Sequence, residues 1–161
     1  VSAITKEGGK ALIGETCIGC GECISICPIR AISPQWSTEI PIFLERMVEY
    51  AYGAVRNKGD NVGYINVLMN ITPLCDCYGF SGAYIVPDIG ILASKDPVAI
   101  DAASYDLVNE QSGNLNSSLK CNHEKGEDKF RGLYSSIDTV RQFSYGEEIG
   151  LGNKEYELIN I

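Results

Sequence analysis

An α/β fold, a layered sheet with helices and an appended N-terminal cluster-binding segment, is predicted by three observations. Four of the seven cysteines fall in one short run inside residues 1–34. After residue 35, β-branched apolar runs alternate with stretches of helical periodicity, the pattern of a sheet layered with helices. Pro, Gly and Asp stand at the junctions between them. The expected division is therefore 1–34 for the cluster segment and 35–161 for the α/β part. A chain of 161 residues suits one such domain with a small module attached.

In chain order, Lys10 to Ile13 reads as a short strand and Cys27 to Ala31 as a turn of helix, with Pro34 and Trp36 closing the segment. Ser37 or Thr38 can cap a helix that tolerates Pro41 in its first turn and places Ile40, Leu44, Met47, Ala51 and Ala54 on one face. Gly59 stops it, and the stripe, with Phe43, reads as core packing. Tyr64 to Ile71 is rich in β-branched and large apolar residues and predicts a buried strand. A second strand, Ala83 to Val86, follows, and the two are expected to be parallel neighbours. Asp96-Pro97 suits an N-cap and first helical position, and Val98, Asp101, Ala102, Tyr105 and Val108 carry a helix to Ser112-Gly113. Asn114 to Asp128 is polar and loop-like. Ile137 to Ile149 is expected to be helical, Gly150-Leu151-Gly152 to turn the chain, and Tyr156 to Ile161 to form a final strand.

The cysteine run is Cys17-x2-Cys20-x2-Cys23-x3-Cys27-Pro28, the spacing with which bacterial ferredoxins hold a cubane iron–sulfur cluster. Gly19 and Gly21 remove side chains where the backbone must wrap closely around such a cluster. Zinc sites instead pair two C-x2-C units far apart. In two-cluster ferredoxins the fourth cysteine of a run serves the other cluster, so Cys17, Cys20 and Cys23 need a fourth ligand from elsewhere and Cys27 serves a second site. Val1-Ser2-Ala3-Ile4 matches Ile29-Arg30-Ala31-Ile32 at an offset of 28, as an internal ferredoxin repeat would. On that reading the chain is the C-terminal portion of a longer protein with two [4Fe–4S] clusters, and is itself expected to hold an incomplete cluster or none.

Net charge is −8, which repels phosphate backbones and leaves no basic stripe for nucleic acid. No apolar run reaches the roughly 18 to 20 residues of a membrane span, so no membrane association is expected. An odd cysteine count and a C-P cluster run argue for reduced thiolates in a cytoplasm poor in oxygen, not for a disulfide framework.

Cys75-Asp76-Cys77 follows a strand, and Cys121 and His123 lie in the polar loop. Four such ligands can hold a metal if they converge. The alternative makes Cys75 a small buried hydrophobe and Cys121 and His123 exposed loop residues. Asp88, Asp96 and Asp101 stand near strand ends and a helix start, where carboxylates in α/β proteins face ligand crevices, although Asp96 also serves as a cap. The two strands, if parallel, bring Asp88 beside Cys75 and Cys77. Lys95 offers a cation for an anion at that helix start.

Tyr64-Ile65-Asn66, Ile71-Thr72-Pro73, Cys75-Asp76-Cys77, the stretch from Val86 to Asp101 reading V-P-D-I-G-I-L-A-S-K-D-P-V-A-I-D, and Gly150-Leu151-Gly152 with Tyr156-Glu157-Leu158 resemble the DUF362 family of iron–sulfur proteins. The resemblance runs over nearly the whole chain. It implies a DUF362 domain joined to a two-cluster ferredoxin insert, a redox role in anaerobic microbes, and Cys75-Asp76-Cys77 as part of a family motif, which it does not imply for Cys121-Asn122-His123. The expectation is low-potential electron transfer to an unidentified redox partner protein. Two alternatives stay open: an iron–sulfur oxidoreductase reacting at Cys75, Asp76, Cys77 and Asp88, and a purely structural metal-binding module.

Overall fold

The computed structural model describes residues 3–33, 40–75 and 79–161. The chain forms two compact units, Val1–Thr38 and Glu39–Ile161.

In the first unit, β1 (Ile4–Glu7) and β2 (Lys10–Ile13) form an antiparallel hairpin in the register Ile4↔Ile13, Thr5↔Leu12, Lys6↔Ala11 and Glu7↔Lys10. Gly8 and Gly9 have φ of 55° and 79°, the two left-handed residues of the tight turn that matches strand twist. The strand expected over Lys10 to Ile13 is there; its partner was not anticipated. The helical turn comes earlier than expected. α1 spans Glu22–Ile26, and Cys27 is its extended C-cap. Pro28 cannot donate a helical hydrogen bond and disfavours the α conformation in the residue before it, so the helix stops at the cysteine. None of residues 3–33 is buried.

The second unit is built on α2 (Ile40–Val55), β3 (Tyr64–Leu68), β4 (Gly90–Ser94), α3 (Pro97–Asn109), α4 (Lys129–Leu133) and α5 (Thr139–Glu148). β3 pairs antiparallel with β4, from Tyr64↔Ser94 to Leu68↔Gly90. This corrects the expected sheet. Ala83–Val86 is not a strand, and the neighbour of β3 is Gly90–Ser94, running the opposite way. Ile85 and Val86 are instead fully buried in an irregular segment, where Ile85 N–H donates to Ile71 O at 2.8 Å and Ile85 O accepts from Asn114 N–H at 2.7 Å. Their apolar run reflects core burial, and loop partners satisfy the backbone that a strand would have paired.

α3 covers one face of the sheet. Asp96 caps it as expected, its Oδ1 accepting from the N–H groups of Val98 and Ala99 at 2.8 and 3.0 Å, with Pro97 at the first helical position. Val98, Ile100, Ala102, Ala103 and Val108 are its buried apolar residues. Ile85, Val86, Val108, Leu119 and Leu133 form one core cluster, and Val98, Ala102 and Phe143 a second.

α2 lies rotated from the expected stripe. Leu44 and Val48 are buried, while Phe43, Met47, Ala51 and Ala54 are exposed. Its facing partner is α5, which engages the Glu45/Glu49 side: Arg141 Nη2 lies 2.6 Å from Glu45 Oε1, and Tyr145 Oη donates to Glu49 Oε1 at 2.9 Å. These polar pairs select the face that an apolar count alone misplaced. The helix expected over Ile137 to Ile149 is α5. The cap expected at Ser37 or Thr38, and the closing residues Pro34 and Trp36, lie outside the described residues. Tyr156–Ile161, expected as a strand, has no strand partner among the described residues. No described helix is long and apolar enough to cross a membrane.

Candidate functional site

The hairpin delivers the chain to the cysteine loop through Gly14, whose N–H donates to Ala3 O at 2.9 Å and whose O accepts from Cys17 N–H at 3.0 Å. Gly19 and Gly21 both take left-handed backbone, φ 70° and 74°, which only glycine adopts without strain. Cys17 and Cys20 are exposed thiols and Cys23 and Cys27 half-buried ones. α1 thus carries Cys23 on its first turn and ends on Cys27.

Cys27 differs from the other three. Its Sγ accepts the Ala31 N–H at 3.3 Å. That N–H chiefly holds the thiol below its ordinary value, with the N–H groups of Ile29, Ile32 and Arg30 adding and slight desolvation opposing. Arg30, at φ 49°, takes the left-handed conformation within this turn. Donor set and backbone suit an iron–sulfur cluster: four thiols within eleven residues, glycine at the close approaches, and amide N–H groups aimed at sulfur. As the loop stands, however, no three His, Cys, Asp or Glu among the described residues group closely enough to hold a metal ion.

The second constellation is dispersed. Cys75 is exposed, so it is not the buried hydrophobe of the alternative reading, and Asp76 and Cys77 lie outside the described residues. The loop before Cys75 is pinned by Tyr134 Oη, which donates to Pro73 O at 2.7 Å, and by Thr72 Oγ1, which donates to Leu74 O at 2.9 Å. Asp88 is engaged in the backbone: its Oδ1 accepts from the N–H of Asn70, a residue at φ 50°, at 2.7 Å. The parallel-strand crevice expected to join Asp88 to Cys75 and Cys77 is replaced by the antiparallel β3–β4 pair. Cys121 is an exposed thiol beside α4, and His123 is half-buried, its O accepting from Gly113 N–H at 2.7 Å.

The charged residues near the α3 start are also engaged. Lys95 Nζ donates to Asp60 O at 2.9 Å. Asp96 Oδ2 accepts from Asn153 N–H at 2.8 Å, so one carboxylate caps α3 and holds the turn after α5. Asp101 Oδ1 accepts from Asn66 Nδ2 at 2.8 Å, and the same amide donates to Ser104 Oγ at 2.9 Å, joining β3 to α3.

Two polar arrangements have no counterpart in the sequence reading. Lys129, fully buried, donates from Nζ to Asn109 O at 3.0 Å, Glu124 O at 2.5 Å and Glu127 O at 2.9 Å. Burial pushes its amine below the ordinary lysine value, against the pull of nearby carboxylates led by Glu127. Tyr105 Oη donates to Asp128 Oδ2 and Tyr156 Oη to Asp106 Oδ2, each at 2.7 Å. Desolvation and these carboxylates raise both phenols to about 12. A lysine inside a polar run carries no periodicity that marks it as buried; Asp128 as an N-cap, three residues before Arg131, is the only local signal there.

No curated protein and no solved structure matches the chain. A family model does match, over residues 3–106, a span that starts just before the hairpin, crosses the cysteine loop and the β3–β4 pair and ends within α3. The chain belongs to the family described as the domain of unknown function DUF362.

Proposed function

We propose that this chain is an iron–sulfur protein of the ferredoxin type that carries electrons at low potential, with Cys17, Cys20 and Cys23 as ligands of one [4Fe–4S] cluster and Cys27 as a ligand of a second. The observation that carries this reading is the run of four cysteines in a segment of which no described residue is buried. A unit of this size with no buried residue among those described needs another source of cohesion, and a metal cluster is one that its four thiols can supply. When bound, a cluster supplies single-electron transfer at a potential set by its hydrogen bonds, charge and exposure. The protein's part is to present thiolates and N–H donors. The Ala31 N–H on Cys27 Sγ already does this, and it stabilises the charged ligand form. Drawing Cys17, Cys20 and Cys23 together is left to the metal, since ligand binding and loop closure are one equilibrium in small metal-nucleated folds.

Acidity suits the same role. A chain of net charge −8 is steered towards basic redox partners, and its association should weaken as salt rises.

The test is anaerobic reconstitution of the natural full-length protein with iron and sulfide. About eight iron per chain are expected, because Cys27 and the other three cysteines serve different clusters. Cys20→Ala and Cys27→Ala should each remove one of two signals in the paramagnetic resonance spectrum of the dithionite-reduced protein. A count of four iron in which both substitutions abolish the same signal defeats the two-cluster assignment. A protein that binds zinc and no iron defeats the redox reading altogether.

A further inference from the structure

Among the described residues, three other than glycine have left-handed backbone: Arg30, Asn70 and Asn122, at φ of 49°, 50° and 62°. Asparagine enters that region readily, because its short amide can bond to nearby backbone. Arginine has no such compensation, and the same unit meets the need for positive φ with glycine at Gly8, Gly9, Gly19 and Gly21. The Arg30 side chain does not account for the conformation: it is exposed and makes no hydrogen bond or ion pair with another described residue. Backbone strain of this kind persists where the surroundings over-determine it. Here the backbone is held on both sides of the residue. Arg30 N–H donates to Cys27 O at 3.1 Å, closing a turn with Pro28 at its second position, and Ala31 N–H donates to Cys27 Sγ at 3.3 Å. A left-handed residue after a turn brings the next N–H back towards the start of that turn, as it does at the C-terminus of a helix. Extended backbone at position 30 would send the Ala31 N–H away from the sulfur. No N–H of a described residue reaches the sulfur of Cys17, Cys20 or Cys23, so the contact belongs to this turn and not to the loop at large.

Resting on the reading of Cys27 as a cluster ligand, we infer that Arg30 is a positioning residue: its left-handed backbone holds the Ala31 N–H on the Cys27 sulfur, and that donor raises the reduction potential of the cluster that Cys27 joins. An N–H binds a more negative sulfur more strongly, so it favours the state of the ligand set that carries the additional electron. Cys27 is half-buried, and solvent therefore screens the contact only in part. The turn bears on which redox partners suit the protein without itself touching a partner.

The test is a potentiometric titration, followed by paramagnetic resonance, of the natural full-length protein reconstituted anaerobically with iron and sulfide. The signal read is the one that Cys27→Ala removes. Ala31→lactic acid exchanges the N–H for an ester oxygen and keeps every side chain; it should lower the potential of that signal by at least ~28 mV, a threefold change in a one-electron equilibrium. Arg30→Gly takes up left-handed backbone freely, and Arg30→Val resists it. Both remove the guanidinium, so its charge cancels between them, and the potential of Arg30→Val should lie below that of Arg30→Gly by the same margin. Iron counts establish that each variant is fully loaded. The ester and the Arg30 pair are independent measurements, so a variant that fails to take up iron leaves the other to decide. A change of less than threefold in either comparison between loaded proteins overturns the inference. A protein with one signal, or with no iron, defeats the two-cluster reading instead, whereas two signals with the Cys27 signal unmoved defeat only the role given to Arg30 and Ala31.

Discussion

Asp96 performs two tasks with one carboxylate, and Gly152 shows how closely they are packed. A Cβ at Gly152 would collide with Asp96 Oδ1, so the turn after α5 comes that near only because the residue has no side chain. Asp96→Ala removes the cap of α3 and the acceptor for Asn153 N–H, and should cost about 1–2 kcal/mol in urea unfolding with an unchanged slope. Gly152→Ala should destabilise by a similar amount through overpacking, while adding little in an Asp96→Ala background where the opposing oxygen is gone. Additive costs in that double variant would mean the two residues do not act on one contact. Lys129 is the other decisive residue. Its three carbonyl partners come from α3 and the loop before α4, so Lys129→Met leaves buried acceptors unsatisfied and should cost about 2 kcal/mol, read as a lower urea midpoint.

Between elements, tyrosine–carboxylate bonds tie α3 to its surroundings, with Tyr105 reaching the α4 cap and Tyr156 reaching back to Asp106. Their raised values set a pH dependence. Both phenols keep their protons in the folded state up to about 12, whereas in the unfolded chain they release them near 10. The folded state therefore holds more protons between these limits, and stability should fall as pH rises from 10 to 12. Tyr145, raised by its bond to Glu49, adds in the same direction. Lys129 acts oppositely, since its amine is depressed in the folded state. Its penalty is present at neutral pH and relieved as pH approaches 10.5, so the decline above 10.5 belongs to the tyrosines. Absorbance titration near 295 nm should find at least two of the nine tyrosines ionising well above 10. A single transition of all nine near 10 contradicts the bonding described here.

At the scale of the whole molecule, the two units are stabilised in different ways. Glu39–Ile161 has two apolar clusters, while Val1–Thr38 has a hairpin, one turn of helix and four thiols. Much of this was legible in the sequence because it is written locally. The cap and start of α3 follow from Asp96-Pro97 and the cysteine motif from spacing alone, and the helix expected over Ile137 to Ile149 and the strand over Lys10 to Ile13 are found as α5 and β2. A cap, a turn or a ligand run is satisfied by residues within a few positions of one another, so its chemistry is complete in a short stretch. The partner of β3, the rotation of α2 and the place of Ile85-Val86 were settled only by tertiary structure. Apolar runs state that a segment is buried but not against what, and antiparallel pairing with Gly90–Ser94, ion pairing of Glu45 with Arg141 and the enclosure of Lys129 depend on residues 20 to 96 positions away. The cysteine loop belongs to both classes: sequence alone determined which thiols are present and how they are spaced, and only the folded chain decided that the Cys27 sulfur meets a backbone N–H, because that contact depends on the turn the chain takes after Pro28.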